Sequence, residues 1–261
     1  RPLILDEAGG IGLFAVGYQR GCKPAGKDKG GCLSWSEMEV IRSVIQEIKA
    51  KCRWCVVVAH GGEEFTAIPS PYTRERYHAY LEMGADLVVC HHPHVPMNYE
   101  TVGDKMIFYS LGNFIFDTDY QRAQFNTEKG ILLKLHFTET KYSFEALGLK
   151  INRENEHIET APLPKIFADI QEDDYNKLEP LAAKMFLAAT KRQQLFLYPD
   201  KFKNATEAQW KDHFYEEKRS GRVPGEALDF QIIYPIAQEE AKGAWKECKL
   251  EAVKAYILEQ M

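Results

Sequence analysis

The chain has 261 residues, 45% hydrophobic and 27% charged, a balance that excludes a disordered or fibrous chain and fits one large globular domain or two modest ones. A formal net charge of -5 and the lack of any long Lys or Arg run leave no nucleic-acid footprint. No apolar run approaches the ~20 residues that a membrane-spanning helix needs, and the start at Arg1, with no basic-then-apolar leader, reads as a processed form or a piece of a longer protein.

In chain order, Leu3 to Leu5 and Ile11 to Tyr18 read as two short strands joined at Gly9-Gly10 as a hairpin. A loop rich in Gly, Lys and Cys follows. Ser36 with Glu39 three residues on has the form of a capping box, and Met38, Ile41, Val44, Ile45 and Ile48 recur at helical spacing as far as Cys52. Trp54 to Ala59 is short and apolar on both faces, as a central strand covered by helices should be, and His60 follows it directly. Pro69 and Pro71 mark a loop, Thr73 to Met83 a helix, and Gly84 its C-cap. Asp86 to Cys90 is a second buried strand with His91 at its end.

Strand, helix and strand in this order form a βαβ unit, whose right-handed crossover sets the two carboxyl-terminal strand ends side by side. His60 should therefore meet His91, His92 and His94 where ligands bind in open α/β sheets. Tyr99 to Val102, Met106 to Tyr109, Ile131 to Phe137 and Tyr142 to Ile151 read as further strands, with a turn at Gly103-Asp104. Beyond Pro164 the segments Asp173 to Leu195, Glu207 to Lys218 and Gln238 to Gln260 read as helices. The predicted class is mixed α/β, with a sheet-bearing unit over 1–155 and a mainly helical extension over 156–261, the boundary falling near Asn155 to Pro164.

Six cysteines are too few for a disulfide scaffold in a chain of this length. Cys52 and Cys55 make a C-x-x-C, but it runs from a helix end into a strand, the reverse of a redox pair, and no second C-x-x-C completes a thiolate site. A structural role is the expectation for both. Cys22 and Cys32 bracket a loop, and their pairing is left open.

Three of eight histidines fall within four residues at His91, His92 and His94. Neutral imidazole is the commonest protein ligand for transition metals near neutral pH, and Pro93 stiffens the backbone between His92 and His94. The plain alternative is a histidine-rich loop bonded within the fold. For His78, His136, His157 and His213 a structural or solvated role is expected, and Trp35, Trp54, Trp210 and Trp245 are read as packing residues.

Three ordered stretches, His60-Gly61-Gly62-Glu63-Glu64, Gly84 to Val95 with its His-His-Pro-His, and Tyr109-Ser110-Leu111-Gly112-Asn113-Phe114, closely resemble the bacterial CapA family of capsule and poly-γ-glutamate synthesis proteins. The resemblance covers Arg1 to Ile151 and corresponds to the second half of the family domain. It implies a metallophosphatase-like layered sheet core flanked by helices, a site for divalent metals of the Mn, Fe or Zn type, and an envelope polymer or a phosphoester as substrate. By the same resemblance His60, His92 and His94 are metal ligands, and His91 and Glu64 are proton-transfer or substrate contacts. Asn113 would bond a metal-bound water, a substrate or a turn. Gly61 stands where the family has Trp, Cys90 where it has Gly, and nothing before His60 matches the family's upstream Asp, Asn-x-Glu and Asn-Asn-His.

The leading expectation is a metal-dependent phosphoester hydrolase; the resemblance implies the bacterial cell envelope or an extracytoplasmic place, and the sequence itself leaves the cytoplasm open. The competing one is a non-catalytic accessory protein of envelope polymer assembly with part of the site. A zinc domain drawing on thiols such as Cys90 beside His91 is a third reading.

Overall fold

The computed structural model describes residues 1–18, 23–210 and 212–213. Two sheets carry the strands. The first contains β1 (Leu3–Leu5), β2 (Ile11–Gly17), β3 (Trp54–His60), β4 (Leu87–His91), β5 (Tyr99–Val102) and β6 (Lys105–Phe108) in the order β1-β2-β3-β4-β6-β5. Strands β2, β3, β4 and β6 run parallel, and β1 and β5 close the edges antiparallel. The second sheet is β7 (Lys129–Phe137), β8 (Tyr142–Asn152) and β9 (His157–Ala161), antiparallel throughout.

Helices α1 (Met38–Lys49) and α2 (Pro71–Glu82) cover one face of the first sheet, and the second sheet covers the other, giving a layered α/β core as expected. On the helical side Ile41, Ile45 and Ile48 of α1 have no exposed surface and meet Cys55, Val57 and Ala59 of β3. Fully burying each such isoleucine contributes roughly 1.5–3 kcal/mol. On the other side Trp54, Val56, Leu87 and Val89 pack against Leu133, Leu135 and Phe137 of β7. Both faces of β3 and β4 are thus covered, which is why these strands are continuous apolar runs rather than alternating ones.

Several boundaries differ from expectation for local reasons. The β1 to β2 connection is a 3-10 turn at Glu7–Gly9, not a two-residue hairpin. Ser36 does not cap α1: the helix starts after Glu37 without a side-chain cap, because the Ser36 hydroxyl is engaged with that of Ser34 at 2.9 Å. Helix α2 begins at Pro71, two residues earlier than predicted. Ser70 is its N-cap, accepting from the Thr73 N–H at 3.1 Å, and proline fits the first helical position because its missing N–H has no partner to lose there. Gly84 follows the C-cap at φ +117.

Strand β9 lies within the segment read as a boundary. Helices α3 (Asp119–Arg122), α4 (Glu172–Leu197) and α5 (Pro199–Phe202) complete the named elements. Helix α4 matches the predicted Asp173 to Leu195. The predicted helix over Gln238 to Gln260, most of that over Glu207 to Lys218, and Cys22, Trp245 and Cys248 lie outside the described residues. No helix among the described residues is long and apolar enough to cross a membrane.

Candidate metal centre

The register of the parallel sheet fixes the site. His60 and His91 are paired across β3 and β4, so the two strand ends stop together and the loops that follow rise side by side. These loops are laced by main-chain bonds: the Gly61 N–H donates to the His91 carbonyl at 3.0 Å and the Phe65 N–H to the Pro93 carbonyl at 2.8 Å. His92 at φ +106, His94 at φ +62 and Phe65 at φ +63 all adopt the left-handed region. Side chains other than glycine cost of order 1–3 kcal/mol each there, a strain that persists only where the surroundings enforce it.

One oxygen of Glu64 and one ring nitrogen each of His92 and His94 lie within 4.8 Å of one another. The His60 ring centroid is 4.9 Å from that of His92, beside this trio, and His91 adjoins His60 across the sheet. The structure therefore brings His60, His91, His92 and His94 together, with Glu64 rather than His60 completing the tightest donor group among the described residues.

Burial lowers the pKa of all four imidazoles. His92 is taken to about 3 by burial and then by its neighbours His60 and His94. For His60 burial acts first and His94 second, and for His91 burial and then His60. His94 is lowered by burial against a smaller opposing effect of Asn113. All four are neutral at pH 7, the form that ligates.

Asn113 is buried, and its Nδ2 donates to the Thr127 carbonyl at 3.0 Å and to Gln121 Oε1 at 3.1 Å. Its Oδ1 therefore faces His94 Nδ1, 2.9 Å away, and accepts the proton there. The other ring nitrogen of His94 then carries the lone pair that a ligating histidine needs. Phe65 and Phe116 both stack on His94, at 5.9 and 5.2 Å between centroids.

Gly61 has a spatial cause. A Cβ there would fall 2.5 Å from Cε3 of Trp35, whose buried ring fills the space in front of the residue. Trp35 in turn packs on Tyr18, which lies 5.9 Å from His92, so an aromatic from a distant loop backs the site. Sequence reading placed Trp35 among packing residues and did not connect it to Gly61.

Two further supports were not visible in the sequence. Glu63 is half-buried and accepts from Ser70 N at 3.0 Å, Ser70 Oγ at 2.7 Å and Thr73 Oγ1 at 2.8 Å, tying the loop to the start of α2. Gln193 of α4 donates to Glu64 Oε2 at 2.9 Å.

The thiols stand apart. Cys55 and Cys90 are buried in the helix-side core, burial pushes Cys55 up to about 12 and Cys90 higher still, and no thiol joins a candidate ligand group among the described residues. His78 adjoins Glu100, while His136 and His157 pair with Glu145 and Glu159 on the second sheet.

Residues 11–118 match the profile of the family described as bacterial capsule synthesis protein PGA_cap. A protein from Bacillus anthracis named capsule biosynthesis protein CapA is 33% identical over 130 residues, 48% of this chain and 32% of the relative. A protein from Bacillus subtilis strain 168 named PGA biosynthesis protein CapA is 37% identical over 89 residues, 34% of this chain and 23% of the relative. The chain thus spans about a third or less of the length of these curated relatives.

Proposed function

We propose, from a chain that belongs through residues 11–118 to the bacterial capsule synthesis protein family, that it acts in capsule or poly-γ-glutamate biosynthesis through a metal-dependent phosphoester hydrolysis centre. The observation that carries this reading is the convergence of Glu64, His92 and His94 within 4.8 Å at two adjacent strand ends. Two imidazoles and a carboxylate suit Mn, Fe or Zn. A divalent metal held there would polarise a phosphoryl oxygen and lower the pKa of a bound water.

The remaining roles fall to the chain's own groups. Asn113 fixes the tautomer of His94 through its Oδ1. His91 and His60, held neutral by burial, accept a proton beside the substrate and can return it to the leaving oxygen. Phe65 and Phe116 stack on His94 and restrain its ring. An envelope polymer or its phosphoester precursor is the substrate class, and the bacterial envelope its place of action. We take residues 1–155 as the part that bears the site and 156–261 as a C-terminal extension, of which β9 completes the second sheet and α4 contacts the Glu64 loop.

A second reading, a non-catalytic accessory protein, is favoured by the number of donors: a single three-residue group among the described residues suits one ion rather than two. Metal analysis of the 261-residue chain after equilibration with Mn(II), with phosphodiesterase and phosphomonoesterase assays, separates the two. Bound metal with hydrolysis lost in His92→Ala supports the hydrolase, and bound metal without hydrolysis the accessory role. No bound metal and no hydrolysis, unchanged by His92→Ala, refutes the centre.

A further inference from the structure

Helix α4 runs along the loop that carries Glu64 and touches it at three places. The Tyr175 hydroxyl donates to the Pro69 carbonyl, the Ala67 N–H to Met185 Sδ at 3.4 Å, and Gln193 Nε2 to Glu64 Oε2 at 2.9 Å. Tyr175 and Gln193 are separated by about five helical turns at 3.6 residues per turn and so lie on one face. The loop follows that face in the opposite chain direction, from Pro69 back to Glu64. At the amino end of α4, Arg74 of α2 bonds both Glu172 of α4 and Glu100 of β5.

The two oxygens of the Glu64 carboxylate meet different neighbours. Oε2 is taken by the Gln193 amide, whereas Oε1 faces His92 Nε2 at 3.9 Å. The oxygen turned toward the histidines is the one opposite the amide contact, so the Gln193 bond favours the rotation of the carboxylate that presents Oε1 to the site. A neutral donor orients the carboxylate without adding charge beside it.

We infer that Gln193 is a positioning residue for the metal centre: by holding Oε2 it aims Oε1 of Glu64 at the site, so that α4, distant in sequence, sets the site's metal affinity. This rests on the metal-centre reading above. Partners of this kind around ligating groups alter metal affinity by about 10–100-fold when removed.

Titration of the 261-residue chain with Co(II), followed by its visible d–d absorption, tests the inference. Gln193→Leu, which keeps bulk but removes the donor, should weaken Co(II) binding about tenfold or more and shift the absorption band, with the metal-free unfolding midpoint held. Gln193→Asn, which withdraws the amide by one methylene, should act in the same direction and serves if the leucine variant fails to fold. In a Glu64→Ala background the Gln193→Leu change should alter affinity by less than about twofold, because its route of action is gone. Unchanged affinity in both Gln193 variants of an otherwise unaltered protein that binds Co(II), or an equal loss in the Glu64→Ala background, overturns the role of Gln193 and leaves the centre standing. Absence of Co(II) binding by the unaltered chain overturns the centre and this inference with it.

Discussion

His92 makes the acid response of the fold a direct test of how the cluster is built. Burial and the adjacent His60 and His94 lower its pKa from the ordinary 6.5 to about 3. The unfolded chain therefore takes up a proton below pH 6.5 that the folded protein refuses. Stability is intact above that value and falls with pH through the interval down to about 3. Each pH unit within it is worth about 1.4 kcal/mol. Between pH 7 and pH 5, above the usual carboxylate range, the share of His92 comes to about 2 kcal/mol. His60, His91 and His94, lowered for the same reasons, act in the same sense, while Glu63, whose pKa is raised, opposes them. A variant isolates the one group. Urea unfolding followed by circular dichroism, with a chelator present, should show that the unaltered protein loses about 2 kcal/mol more than His92→Asn between pH 7 and pH 5. Equal losses would refute the claim that His92 is held neutral by its surroundings.

Gly61→Ala should destabilise the fold by about 1–3 kcal/mol, because its Cβ would meet the buried ring of Trp35 at 2.5 Å. In a Trp35→Leu background the penalty should shrink to near zero in the same urea assay, and an undiminished penalty would mean that another contact excludes side chains at 61. Glu100 lies within the core: burial alone would raise its pKa, but His78, Arg74 and Tyr109 together hold it down to about 2. Glu100→Gln should cost roughly 3–5 kcal/mol, since Arg74 loses its buried charge partner, and a urea-measured loss below about 1 kcal/mol would show that Glu172 suffices.

The strands most plainly legible in the sequence are those covered on both faces. Trp54 to Ala59 and Leu87 to Cys90 announce β3 and β4 because helices and the second sheet cover both faces, leaving no polar residue to interrupt either run. Strand β9 escaped because His157 to Ala161 is an edge strand, half-exposed and charged, held by pairing with β8 rather than by its own composition. The start of α2 was misjudged for a related reason. Pro71 reads as a breaker unless Ser70 is seen to cap the turn and Glu63 to accept from it.

The site divides in the same way. His91, His92 and His94 were conspicuous as neighbours in the chain, and His60 followed from the topology of one βαβ unit. What holds them did not, because it is assembled over long separations from residue types without a signature. Trp35 reaches Gly61 from the loop before α1, Thr127 and Gln121 aim Asn113 from beyond it, and Gln193 reaches Glu64 from α4. A glutamine in a helix carries no signature of such a role until its partner is known. The donors of this centre are thus local in sequence and their orientation is not, so a substitution far from the histidines can change the site while every residue of the motif is kept.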